Sequence, residues 1–160
     1  VLAVVPSLVH AANIPELMLQ PSVNLVLSVA DVAKSKEFYG EILRLKPLPN
    51  LNLPGGLVMT RYQVGTTEIK LLHSAATRKA ETGDLNEATG VRRLTLYLPD
   101  QSALSGRFQE HGRASPRFEV ETGARGWPRA LVADPDGNQI ELIVPAAGTP
   151  DAALRQIELR

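Results

Sequence analysis

The sequence predicts an α+β fold built from two copies of one β-α-β-β-β plan. Three observations predict it. The stretch VNLVLSVADVAKSKEFYGEIL from Val23 and the stretch RRLTLYLPDQSALSGRFQEHG from Arg92 share a layout of alternating apolar residues, an Asp, and then apolar residues at helical spacing. Each is followed by further segments of strand character. Between them, residues 75–90 turn polar and lose any period, which reads as a linker. The divisions that follow are an N-terminal arm over 1–21, a first module over 22–74, the linker, a second module over 91–145 and a tail over 146–160, making one domain in all.

Taken in order, the arm VLAVVPSLVHAA resembles the apolar part of a secretory signal without a basic leading region. It is too short, and too broken by Pro6, to span a bilayer. It is expected to pack on the domain or on a partner subunit, in a protein either cytoplasmic or exported. In the first module Leu25, Leu27 and Val29 share one strand face and Asn24, Val26 and Ser28 the other. Asp31 is expected to cap a helix over Val32–Leu43 that buries Val32, Phe38, Tyr39 and Ile42. LNLPGGL reads as a turn, and LVMTRYQV and TTEIKLLH as two strands joined at Gly65; by parity either Arg61 or Tyr62 faces inward, but not both.

The second module repeats this. Leu94, Leu96 and Leu98 oppose Arg93, Thr95 and Tyr97; Asp100 stands at the expected cap of a helix over 101–110, with Leu104 and Phe108 inward and an end near Gly112. RFEVE, WPRALVA and QIELIV supply the strands. Before the last of them, Asp134, Pro135, Asp136, Gly137 and Asn138 combine a preset φ, tolerance of positive φ and side chains that bond their own backbone, which makes a tight turn. Ile140, Leu142 and Val144 then share a face, with Glu141 on the other.

Composition narrows the chemistry. The chain of 160 residues has no Cys, which excludes a disulfide framework and thiolate chemistry. Its 17 Lys and Arg balance 17 Asp and Glu, so no charge excess points to nucleic acid or an anionic membrane. No phosphate loop, nucleophile elbow or zinc-helix motif is present. Of the three histidines, His111 reads as a cation near a helix end, while His10 and His73 share no motif with it.

The tandem plan, the run VADVAKSKEFYGEILRL and the turn DPDGNQIEL resemble the vicinal oxygen chelate superfamily, also called the glyoxalase/bleomycin-resistance/dioxygenase family, over about residues 22–145. The resemblance implies a curved mixed sheet around a cleft, with metal ligands in many members on the first and last strand of each module. Those positions here are Asn24, Lys70, Arg93 and Glu141. Only Glu141 is a good ligand type. Two cations beside a divalent ion oppose it by roughly 8 kcal/mol each, at about 4 Å and an effective dielectric near 20. No metal and no other cofactor is therefore expected.

Glu141 is expected to pair with Arg93, Lys70 or both, and all four positions to share one cleft. Either these charges merely hold the middle of the cleft, or the surplus cation and the guanidinium fork receive a ligand oxyanion. On the second reading Asn24, Lys70, Arg93, Tyr97 and Glu141 contact the ligand, and Arg93 and Glu141 carry any catalysis. The leading expectation is a metal-independent binder of a small polar or anionic organic molecule that forms a homodimer. Against it stand a metal-dependent lyase, isomerase or ring-cleaving dioxygenase, and a non-catalytic interaction module.

Overall fold

The computed structural model describes residues 23–75, 77, 90–120 and 126–149. The N-terminal arm with His10, most of the linker and the tail beyond 149 lie outside them. The first module contains β1 (Leu25–Ser28), α1 (Val32–Lys36, continuing as a π-helical stretch over Glu37–Ile42), β2 (Lys46–Asn52), β3 (Val58–Val64) and β4 (Thr67–Leu72). The second contains β5 (Arg93–Tyr97), α2 (Ser102–Glu110), β6 (Glu119–Val120), β7 (Pro128–Ala133) and β8 (Gln139–Ile143). They form two four-stranded sheets in the orders β1-β4-β3-β2 and β5-β8-β7-β6. In each, the first and last strands of the module run parallel and the remaining pairs antiparallel.

Local sequence explains most of these elements. Asp31 caps α1, its side chain accepting the Lys34 N–H at 3.1 Å. That bond holds its carboxyl below the usual aspartate range. Asp100 does not occupy the matching place. Gln101 is the cap residue of α2, and Asp100 stands one position earlier, where it accepts the Ser102 N–H at 2.9 Å and the Ser102 hydroxyl.

The first helix also departs from a regular α-helix, because Leu43 N–H reaches back to Phe38 C=O at 2.9 Å, a spacing of five. The wider turn still buries Phe38, Tyr39 and Ile42 together. Gly40 within it lies against Tyr62: a Cβ there would come within 2.9 Å of the Tyr62 hydroxyl. Strand β2 was hidden in the sequence by Pro47 and Pro49, which suit an edge strand.

Both helices pack into one core between the sheets. Phe38 meets Tyr39 edge-on at 5.1 Å and Phe108 of the other module edge-on at 6.2 Å, above Ile69, Leu71, Ile140 and Leu142. Each fully buried side chain of this size contributes roughly 1.5–3 kcal/mol.

The turn between β7 and β8 adds polar bonds across the same junction. Asp134 is 3% exposed; its carboxylate accepts the Asp136 and Asn138 N–H groups at 3.0 and 2.8 Å, the Asn138 side-chain amide at 2.9 Å and the Tyr39 hydroxyl at 2.9 Å. Asp136 accepts the Ala30 N–H at 3.0 Å. The turn thus grips the start and the middle of the first module's helix. Burial, then the Asp134 charge, pushes the Tyr39 phenol well above its usual range.

Candidate functional site

With the leucines and isoleucines turned to the helices, each sheet presents its other face outward, and strand pairing arranges that face in rows. On the first sheet Val26, Lys70, Arg61 and Leu48 stand in one row. Asn24, Glu68 and Gln63 stand beside it. On the second sheet Thr95, Glu141 and Leu131 form the central row. It is flanked by Arg93 with Gln139 on one side and by Tyr97, Ile143 and Arg129 on the other. Tyr62 goes to the core at 4% exposure, so Arg61 is the member of that pair on the outward face.

Each face holds a glutamate between two cations. Glu68 receives the Arg61 guanidinium as a fork, Nε to Oε2 at 2.9 Å and Nη2 to Oε1 at 2.7 Å. The Lys70 ammonium lies 3.7 Å from Oε2. The Arg61 hydrogen bonds hold the Glu68 carboxyl below the usual glutamate range, and Glu68 in turn raises the Arg61 guanidinium. Glu141 takes Thr95 Oγ1 at 2.9 Å on one oxygen; Arg129 at 3.3 Å and Arg93 at 3.9 Å share the other. Arg93 also donates to Gln139 at 3.2 Å, while its Nε–H is buried without a partner.

The ion pairs divide the four family positions between two groups. Glu141 pairs with Arg93, as the sequence allows, but its second cation is Arg129; Lys70 pairs with Glu68. Asn24 turns its Oδ1 to the Glu68 N–H at 3.1 Å, stitching β1 to β4. Tyr97 stands in the row next to Glu141 and is partly buried. Glu68 is the residue that sequence reading missed. Glu68 could have been found by counting back from the Gly65 turn, since the register sets Gln63 opposite Glu68 and Arg61 opposite Lys70.

The donor set does not fit a metal at these positions. Asn24 has its oxygen engaged, Lys70 and Arg93 are cations, and Glu141 is shared by two guanidinium groups. Among the described residues no three His, Asp or Glu side chains converge as a metal site. The histidines offer none either: His73 Nδ1 donates to Val29 C=O at 2.8 Å, and His111 Nδ1 lies 2.6 Å from Glu37 across the module junction. A groove of about 350 Å³ lies elsewhere, between the segment Arg113–Arg117 and the edge of β7 at Leu131–Ala133, and Arg113 crosses it to Ala133 C=O at 2.6 Å.

Solved structures share this architecture. A glyoxalase family protein from Enterococcus faecalis aligns with 76% of this chain and 94% of its own at 21% identity and TM-score 0.56. A glyoxylase/bleomycin resistance protein/dioxygenase domain from Frankia sp. EAN1pec aligns with 82% of this chain and 96% of its own at 18% identity and TM-score 0.61. A lactoylglutathione lyase from Agrobacterium tumefaciens gives 79% and 95% coverage at 20% identity and TM-score 0.52. No curated protein sequence matches. The family model for the Glyoxalase/Bleomycin resistance protein/Dioxygenase superfamily matches residues 21–142. The chain belongs to that superfamily.

Proposed function

We propose that this protein binds a small polar or anionic organic molecule on its outward charged faces and does so without a metal. One observation carries the reading: each face gathers two cations around one glutamate beside exposed apolar surface. Val26 at 49% and Leu131 at 50% exposure supply that surface, one on each sheet. A cationic head next to an apolar shelf is what recognition of a small organic anion requires. If the protein is also a catalyst, Arg93 and Glu141 are the pair to stabilise and orient a developing oxyanion.

The same exposed apolar residues support a homodimer in which a second copy covers part of these faces. The metal-dependent lyase, isomerase and dioxygenase activities of the superfamily are disfavoured by the donor set described above. Ligand-induced thermal shift against a metabolite collection, after exchange into metal-free buffer, tests the proposal. Stabilisation by organic anions that survives chelator is the expected result. Loss of all ligand stabilisation on chelation, with its return on adding one equivalent of a transition metal, would overturn it.

A further inference from the structure

Resting on that reading, we infer that Lys70 receives the ligand's anionic group, and that the ligand is an organic carboxylate whose apolar body lies along the first sheet.

The assignment follows from how the charges on the two faces are spent. On the second sheet both guanidinium groups already have acceptors: Arg93 bonds Gln139, and Arg129 and Arg93 share Glu141. On the first, Arg61 uses Nε and Nη2 on Glu68 and Nη1 on Pro49 C=O at 3.3 Å. Both Glu68 oxygens are thereby occupied. Lys70 is left at 3.7 Å from the nearer one, beyond hydrogen-bond length, with no hydrogen bond among the described residues. Its side chain is 20% exposed. Its ammonium has donors open to an added acceptor.

The surroundings define what would satisfy it. Val26 flanks Lys70 on β1, and Leu72, Met59 and Leu51 form the adjoining row, with Leu51 39% exposed. This is an apolar shelf beside a cation held by one long ion pair to Glu68. Arg61 and Lys70 set against Glu68, with Lys46 in the row of Gln63, leave this face an excess of positive charge that a carboxylate offsets.

The test titrates the full chain with 2-naphthoate, the neutral isostere 2-naphthamide and inorganic phosphate, by calorimetry and by amide chemical shifts. Naphthoate is expected to bind at least about tenfold more tightly than the amide or phosphate, shifting the amides of Val26, Arg61 and Lys70. Lys70→Met should weaken naphthoate at least about tenfold without changing the amide's affinity, Lys70→Arg should restore it, and Arg117→Met, at the distant groove, should leave it unchanged. Equal binding of naphthoate and naphthamide would overturn the inference. So would wild-type naphthoate affinity in Lys70→Met; if Arg93→Met then abolished it, the anion would belong to the second sheet, and the proposed function would stand. Absence of naphthoate binding up to about 10 mM would also overturn it, leaving the proposed function to the metabolite screen.

Discussion

The outward faces of the two sheets solve one problem from different positions. Pairing is equivalent in both, since Leu25 opposite Ile69 corresponds to Leu94 opposite Ile140. By that register Lys70 and Glu141 occupy the same place, and so do Glu68 and Gln139. The carboxylate has moved two residues along the strand from one module to the other, and the cations have moved with it. The first glutamate is clasped by one guanidinium at 2.7 and 2.9 Å; the second is shared between two guanidinium groups at 3.3 and 3.9 Å and a hydroxyl. Strand register fixes where an outward side chain stands, whereas the charge it carries is free to change provided a partner lies within one diagonal.

That comparison holds only while both modules share a rigid junction, and breaking the junction is the largest effect expected. Asp134→Ala strands the Tyr39 hydroxyl, two backbone N–H groups and the Asn138 amide, and should cost on the order of 3–5 kcal/mol in urea unfolding. Tyr39→Phe removes one of these bonds and should cost about 1–2 kcal/mol. A loss below about 1 kcal/mol for Asp134→Ala, the size of one ordinary hydrogen bond, would show that apolar packing alone joins the modules.

The helices sharpen the contrast. Gly40→Ala forces a Cβ against the Tyr62 ring and should destabilise by about 1–3 kcal/mol. Gly106→Ala in α2, where the added carbon meets nothing within 4 Å, should stabilise by roughly 0.5–1 kcal/mol. Thermal unfolding of the two variants should therefore move in opposite directions, and movement in the same direction would contradict the packing described for Gly40.

The charge clusters come next. Arg93→Met leaves Glu141 with Arg129 and Thr95, so its cost should be about 1 kcal/mol, far below that of an orphaned buried charge. Glu141→Gln in the same background should recover most of it. Arg61→Met leaves Glu68 with the loosely placed Lys70 alone and should lower the melting temperature further than Arg93→Met does. The reverse order would deny that the first glutamate is the more tightly held.

The smallest effect is one of pH. The Glu68 carboxyl titrates below its unfolded value, so it contributes stability that is full above the ordinary glutamate range and is lost as pH falls through the lower folded value. Glu68→Gln should flatten the acid side of the stability curve and leave its slope near neutrality unchanged. An unaltered acid limb would remove Glu68 from the account.

Much of the fold was legible because it rests on periods of two and near four. The leucines of β1 and β5 and the pair Leu104 and Phe108 declare their faces without tertiary information, and the outward direction of Lys70, Arg93 and Glu141 follows from the same parity. What parity cannot supply is distance across strands and between modules. Arg129 reaches Glu141 through the β7–β8 register, and Asp134 reads as a local turn residue until Tyr39 is brought from 95 positions away. The π-helical turn at Phe38–Leu43 has no compositional mark, and two prolines concealed β2. Sequence places four residues on strand faces, but only the sheets decide that Glu141 meets Arg93 and Arg129 while Lys70 meets Glu68.

Those two prolines carry a consequence of their own. Pro47 and Pro49 are two residues apart, so both would direct their missing N–H to the same side of β2, the strand at the rim of its sheet. Where these prolines stand, the chain has oxygens without the matching hydrogens. A foreign strand approaching it finds no complete template to copy, and the irregular register between Leu48 and Leu51 bends the rim further out of line. Concentrated solutions of this protein should resist fibrillar growth from that edge, and replacing both prolines by threonine should open it, seen as thioflavin-positive material where the parent remains clear.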